Sequence, residues 1–362
     1  MTTTPYWLED AHEALPMHRF DGRAEVAVIG GGVTGCSCAL TLAERGVRVR
    51  LHEAREIAGG ASGRNGGFAL RGAAAPYDEA RRSLGDDRAR LLMELTERAL
   101  DRMEELAGDA FRRVGSFRLA WDDDELDALR REHDALREHG FAVEWVDELR
   151  SPLDRLYRGA ILHPRDGALQ PARWVRRLAR RAAEAGADIR EHDAATVDEL
   201  DADVVVVAGD GFIPSLLPEL ASVVTTTRGQ VLATEPLAEL RYERPHYARG
   251  GYDYWHQLPD RRLVIGGQRD ASFATELSDA METSELIQER LESLVEELLG
   301  YRPSVTHRWA GLWGTTPDLV PLVGEVPGRE SVWVAGGYSG HGNALGLACG
   351  DLVARAILGE SP

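Results

Sequence analysis

The chain has 362 residues, a formal net charge of −18 and 43 % hydrophobic residues, which suits two interleaved domains and excludes a disordered chain. The acidic balance argues against nucleic acid, whose phosphates demand concentrated positive charge. All 42 basic residues are arginine, which excludes a pyridoxal Schiff base, a lysine nucleophile and the P-loop class.

The N-terminus carries no basic segment leading into an apolar stretch, and nowhere do about 18 apolar residues run together. A cytoplasmic location with no membrane partner is expected. Val26, Ala27, Val28 and Ile29 form a short β-branched run that stops at three glycines, the pattern of a buried parallel strand. A helix over 34–45 follows, closed by Gly46, and Val47, Val49 and Leu51 alternate as a second strand ending at Glu53. Cys36 and Cys38 fall on that helix two residues apart; with Cys349 they read as small buried residues and not as a disulfide framework.

Further along, Leu92, Leu95, Ala99, Met103 and Leu106 mark a helix over 86–107, and 117–121 reads as a strand. Leu126, Leu129, His133 and Leu136 mark another helix, with His133 a packed or rim residue. Trp174, Leu178 and Ala182 give a third helix, and the four valines 204–207 a buried strand ending at Ala208 and Gly209. Residues 231–234 and 263–266 are strands, Ile287 to Leu298 a helix, and 332–335 a strand running through Gly336 and Gly337 into a last helix to about Ile357. The β-α-β pieces lie at the start, middle and end. One mostly helical segment and one mostly stranded segment are inserted between them.

Gly30, Gly32 and Gly35 match G-x-G-x-x-G between strand and helix. The first glycine permits the turn, the second lets backbone approach a pyrophosphate, and the third packs helix on strand. The phosphates then sit at the helix N-terminus beside Val33 and Thr34, and Glu53, followed by Ala54, is placed to accept from ribose hydroxyls. This fingerprint specifies a dinucleotide and leaves FAD and NAD both open.

Three further stretches narrow the choice. They are Ala61-Ser62-Gly63-Arg64-Asn65-Gly66-Gly67, then Gly311 to Asp318 with Pro321 to Gly324, then Gly336-Gly337-Tyr338-Ser339-Gly340-His341-Gly342. A glycine-rich loop with one arginine suits close approach to a phosphate and a flat ring. A loop leaving a strand for a helix can turn its N–H groups toward the flavin edge that becomes negative on reduction. Together these stretches resemble the FAD-dependent D-amino-acid oxidase and sarcosine oxidase superfamily, and most its γ-glutamylputrescine oxidase-like branch. Tyr6 to Asp10 and Asp166 to Pro171 extend the resemblance more weakly.

The resemblance implies an α/β fold of the two-domain α+β kind. Its Rossmann-type FAD-binding domain would comprise 1–75, 155–222 and 305–362. Its substrate domain, mainly antiparallel sheet plus helices, would comprise 76–154 and 223–304. It further implies FAD contacts at Ala208, Gly209 and Trp313 and through Val197, although only about seventeen residues stand where the family inserts a β-meander. Sarcosine oxidases attach FAD to a cysteine where this chain has Gly311, so noncovalent FAD is expected. Amino-acid-oxidising members carry arginines where Trp313 and Gly340 stand, so plain α-amino acids lose their carboxylate partner. An oxygen-promoting lysine of sarcosine oxidases is replaced by Ala344.

The implied activity is oxidation of an amine C–N bond by hydride transfer to flavin N5, giving an imine, with hydrogen peroxide from reoxidation. Tyr252, Tyr254 and His256 are expected on one face of a pocket strand with Trp255 opposite, His341 against the flavin, and Gln268 near the pocket. No metal site is expected. Three alternatives stay open: a dehydrogenase with an acceptor other than oxygen, a biosynthetic flavoenzyme acting on an elaborate amine or imine, and a non-catalytic FAD-retaining protein. The identity of the amine and the oligomeric state are not legible.

Overall fold

A computed structural model describes residues 2–360. The first unit is β1 (Ala24–Ile29), α1 (Val33–Ala43) and β2 (Val49–His52). β1 lies in the middle of a six-stranded sheet, between Ala202–Val207 and β2, with Val26 to Ile29 opposite Val204 to Val207 in parallel register. Val28 and Leu51 are fully buried, which explains runs of apolar residues without alternation. Asp188–Arg190 extends the sheet beyond β2. Val332–Gly336 extends it beyond Ala202–Val207, and an antiparallel edge strand, Leu322–Glu325, ends it.

The helix Pro171–Glu184 and the last helix, Gly342–Ile357, pack on α1. The contact with the last helix is very close, because a Cβ on Gly350 would stand 2.3 Å from the carbonyl oxygen of Thr34. Ser37 Oγ also donates to Leu347 O at 2.7 Å, so the two helices are tied as well as packed.

The second sheet has eight strands, in the order Val305–Thr315, Thr225–Pro236, Arg262–Gly267, Asp253–Gln257, His246–Ala248, Ser116–Ala120, Gly159–His163, Glu144–Val146. It is antiparallel except where His246–Ala248 meets Ser116–Ala120. The helices Asp123–Glu138 and Glu285–Leu299 flank it, whereas Asp86–Ala107 packs on the last helix and on Pro171–Glu184, and each forms where an apolar stripe recurs at helical spacing. His133 lies at the rim, its ring against Trp145 and its Nδ1 against Asp134, and all three cysteines are buried.

The chain crosses between the sheets at places the sequence pattern does not mark. Gly159–His163 and Val305–Thr315 pair into the second sheet, so crossings expected at 155 and 305 fall later, after those strands. Strand pairing decides this, and an apolar run carries no sign of its partner. In the place of a meander, a single 3-10 turn, Val197–Glu199, joins Asp188–Arg190 to Ala202–Val207. It is closed by a capping box between Thr196 and Glu199. Among the described residues no helix is long and apolar enough to cross a membrane.

Candidate functional site

The turn after β1 is built from its glycines. Gly30 has φ of 113° and donates to His52 O at 2.8 Å, which holds the turn over β2. A Cβ on Gly35 would sit 1.9 Å from Gly30 O, so α1 can rest on the turn only with glycine there. α1 begins with Gly32 as its cap, which supplies no side chain, and Val33 N donates to Ser62 Oγ at 3.0 Å. The buried Glu53 carboxylate, at the end of β2 before Ala54, accepts from Gly31 N at 2.7 Å and Arg55 N at 2.8 Å. Glu53 therefore braces the turn from the side where a ribose would lie.

The loop from Ala61 to Gly67 is clamped from behind. Trp7 Nε1 donates to Asn65 O at 2.7 Å and Trp309 Nε1 donates to Arg64 O at 2.9 Å, both indoles being fully buried. The Asn65 side chain donates to Ala61 O and Ser62 O and accepts from Gly67 N, which fixes the loop internally. Arg64 donates through Nε to Gly59 O at 2.9 Å and through one terminal nitrogen to Ala310 O at 3.3 Å. Burial and the neighbouring Arg55 push its pKa down, and among the described residues no carboxylate pairs with it. A desolvated guanidinium lining the same cavity as a helix N-terminus capped by glycine makes a site for an anion.

The third loop leaves Val332–Gly336 and enters the last helix. Asp210, just after Gly209, accepts from Gly337 N at 2.9 Å and Tyr338 N at 3.4 Å. Burial raises the Asp210 pKa to about 6, partly offset by these backbone donors. Ser339 N donates to Gly314 O, and the Tyr338 hydroxyl meets Thr34 Oγ1 at 2.9 Å, tying the loop to α1. Neither ring nitrogen of the buried His341 has a hydrogen-bond partner among the described residues. Burial, then the charge of Arg118, lowers its pKa to about 4, so its imidazole is neutral at pH 7.

These loops meet around one cavity of about 630 Å³. Gly32, Val33 and Thr34 line it from α1, and Ala61, Ser62, Arg64, Asn65 and Gly66 from the clamped loop. Ala208, Trp313 and the run Tyr338, Ser339, Gly340, His341 and Gly342 complete the side nearest the two helix starts. Gly30, Gly35, Glu53, Ala54, Gly67, Gly209 and Gly337 support these residues from behind and do not line the space. The N-termini of α1 and the last helix both face it, so phosphates and a reducible ring can share one elongated, positively biased channel. The residues present fit a flavin dinucleotide.

The second sheet supplies the outer wall. Tyr252 and Tyr254 line it, but Tyr252 precedes the strand, which begins at Asp253 after the 3-10 turn Arg249–Gly251. His256 is fully buried on the Tyr254 side of the strand. Its ring lies beneath Gly67, between Phe68 and Trp7, beside a separate cavity of about 470 Å³. Two residues of extended chain advance about 7 Å, which carries His256 past the loop edge and off the main cavity. Trp255 points the other way, into the core with Tyr157 and His246.

Gln268 is also displaced from the expected pocket. It has a left-handed backbone (φ 60°) and is buried against Asp253, which turns its neighbour Arg269 into the cavity instead. The Val197 side chain fills the core with Ile29, Val205 and Val332, so only its backbone is left to face a ligand. Sequence reasoning missed Arg269, Asp210 and Asn343. Asn343 donates to Phe68 O at 2.6 Å and to Asn65 Oδ1 at 3.2 Å, joining the second and third loops. Its place in the first turn after a glycine-rich loop was the available signal.

Known proteins point the same way as this geometry. The family described as FAD dependent oxidoreductase matches residues 25–356. The chain is 31 % identical to a probable oxidoreductase OrdL of Rhizobium meliloti (strain 1021), covering 94 % of this chain and 84 % of that protein. It is 28 % identical to the gamma-glutamylputrescine oxidoreductase of Escherichia coli (strain K12), over 99 % and 90 % of the two. Its fold is similar to that of glycine oxidase from Geobacillus kaustophilus, with a TM-score of 0.76, 22 % identity and coverage of 94 % and 96 %. A match over nearly the whole chain to a family built around this cofactor agrees with the clamped loop, the glycine turn and the paired helix starts. The chain belongs to the FAD dependent oxidoreductase family.

Proposed function

We propose that this protein oxidises the C–N bond of an amine, with FAD held noncovalently in the channel between α1 and the outer wall. The observation that carries the proposal is the continuity of one cavity from the α1 N-terminus and Arg64 to an aromatic wall of Tyr252, Tyr254 and Trp313. FAD, when bound, supplies the acceptor for a hydride leaving the carbon next to nitrogen. The amine must be neutral to release that hydride, and an apolar, aromatic wall favours the neutral form by desolvating the ammonium. His341, neutral and without a partner among the described residues, would exchange a hydrogen bond at the flavin end without adding charge. Asp210 is occupied by backbone amides and is a positioning residue rather than a base. The product is an imine, which water hydrolyses to a carbonyl compound and a smaller amine.

Noncovalent attachment is supported by Gly311 on the cavity wall, and by all three cysteines lying in the core away from it. Names among the relatives, gamma-glutamylputrescine oxidoreductase and glycine oxidase, support an amine or amino-acid-like substrate. Ala344, buried in the first turn of the last helix, favours a second reading in which the electrons pass to an acceptor other than oxygen.

Purified protein should release yellow flavin on denaturation and bleach anaerobically with secondary amines or polyamines. Peroxide on admitting air identifies an oxidase, and slow reoxidation a dehydrogenase. A colourless protein that fails to take up added FAD defeats the reading.

A further inference from the structure

We infer that Arg269 is an anion-binding residue of the substrate pocket, and that the amine it accepts carries a carboxylate set apart from the carbon being oxidised. The inference deepens the proposed amine oxidation and rests on it for the word substrate. Three charged residues line the cavity, and two are engaged elsewhere. Arg64 bonds backbone carbonyls at the α1 end, and Asp210 is taken by amides. Arg269 forms no ion pair among the described residues, because the carboxylates next to it are already used. Asp270 and Asp253 both pair with Arg249, and Asp253 also accepts from Gln268.

The guanidinium is nevertheless held in place. Its carbon lies 4.5 Å from the Tyr252 ring centroid, 5.7 Å from Phe273 and 5.8 Å from Trp313. Aromatic faces hold a guanidinium through its π surface and leave its edge N–H donors free, and those donors match a carboxylate in fork geometry. Phe273 and Leu277, which share this wall, are about half exposed at 50 % and 46 %, so Arg269 stands toward the opening of the cavity. Tyr254 lies deeper, its ring against Gly66 of the clamped loop. A ligand reaching both places has its anionic group at the mouth and its amine beneath. In a chain of net charge −18 an anionic substrate needs such a local cation to enter.

The test uses the FAD-loaded enzyme with two redox-inert probes, 4-phenylbutyrate and its uncharged amide, titrated by flavin absorbance changes and by calorimetry. The acid should bind at least about tenfold tighter than the amide, and R269Q should lose that preference. R269K should restore part of it, since lysine keeps the charge but not the stacked fork. With oxidisable amines, R269Q should raise KM for those bearing a distal carboxylate at least about tenfold more than it raises KM for neutral amines. Equal binding of acid and amide by the unmodified enzyme, or a preference that survives in R269Q, overturns the inference. If R269Q does not fold, the unmodified enzyme and R269K still decide it. Probe binding needs no turnover, so the two readings fail separately. Amine oxidation indifferent to a carboxylate sinks only the inference, and Arg269-dependent probe binding without flavin reduction by any amine sinks only the activity.

Discussion

The indole of Trp309 donates to the carbonyl oxygen of Arg64 at 2.9 Å across 245 residues of chain, so the second sheet fixes the backbone of a loop that lines the main cavity. Trp309→Phe keeps the apolar bulk and removes the donor, leaving a buried carbonyl short of a partner. The loss should cost about 1–3 kcal/mol of loop order and weaken FAD binding about tenfold or more. FAD titration of the apoprotein measures this, and unchanged affinity would mean that Trp7 and Asn65 suffice to hold the loop.

Arg64 itself is expected to act on the phosphates. Arg64→Gln keeps a donor and removes the charge, and a charge-assisted bond is worth about 1.5–3 kcal/mol, so FAD affinity should fall tenfold or more. Raised ionic strength should narrow the gap between variant and parent. A variant that binds FAD as the parent does would reduce Arg64 to a brace between Gly59 and Ala310.

The contact between α1 and the last helix sets the spacing of their N-termini. Gly350→Ala puts a methyl 2.3 Å from Thr34 O, which the helices relieve only by parting. Overpacking of this kind costs about 1–3 kcal/mol, so thermal unfolding should shift down by several degrees and FAD should bind more weakly. An alanine variant as stable as the parent would show that the helices part without strain.

Acid should destabilise the protein well above the carboxylate range. Burial lowers the pKa of His246 and His256 to about 3 and of His341 to about 4, and lowers His163 further still. Below pH 6.5 the unfolded chain takes up protons at these histidines and the folded chain does not. Their contribution is therefore complete above that pH and is lost as pH falls toward 4. Asp210 and Asp253, raised to about 6 by burial, act in the opposite sense, because protonation in the folded state relieves their desolvation as pH drops below 6. The lowered histidines, His52 among them, outweigh the raised carboxylates, which include Asp166 and Glu125, so denaturant unfolding free energy should decline from pH 7 to 5, more steeply below pH 6.5 than above it. Each uncompensated proton contributes about 1.4 kcal/mol per pH unit. His341→Asn should flatten the slope by one proton, and an identical slope would contradict its neutral burial.

Much of the first sheet was readable because its strands are buried on both faces and leave apolar runs of strand length. The glycine turn was readable because Gly30 and Gly35 meet a steric demand that no other residue satisfies. The pocket wall was less legible. Alternation placed Tyr254 and His256 together but could not show that the clamped loop ends between them. Arg269 was missed because Gln268 takes a left-handed conformation that reverses the alternation at that point. Asp210 resembled any turn residue after a strand, and its role exists only once Gly337 and Tyr338 come back to meet it. Trp7 was noted as part of a weak resemblance, yet its bond to Asn65 comes from packing and leaves no local pattern.

The intimate seating of the last helix on α1 has a consequence for how the protein is made. Strand β1 is made well before its neighbour Ala202–Val207, and the Tyr338 to Gly342 loop follows later still. A nascent chain with long-range partners still missing cannot close its core, and such intermediates are prone to aggregate. The cavity is thus closed only once the Tyr338 to Gly342 loop has joined the first unit. Flavin binding before that point would have only part of its site, so flavin supply should govern how much newly made chain reaches the stable, coloured form.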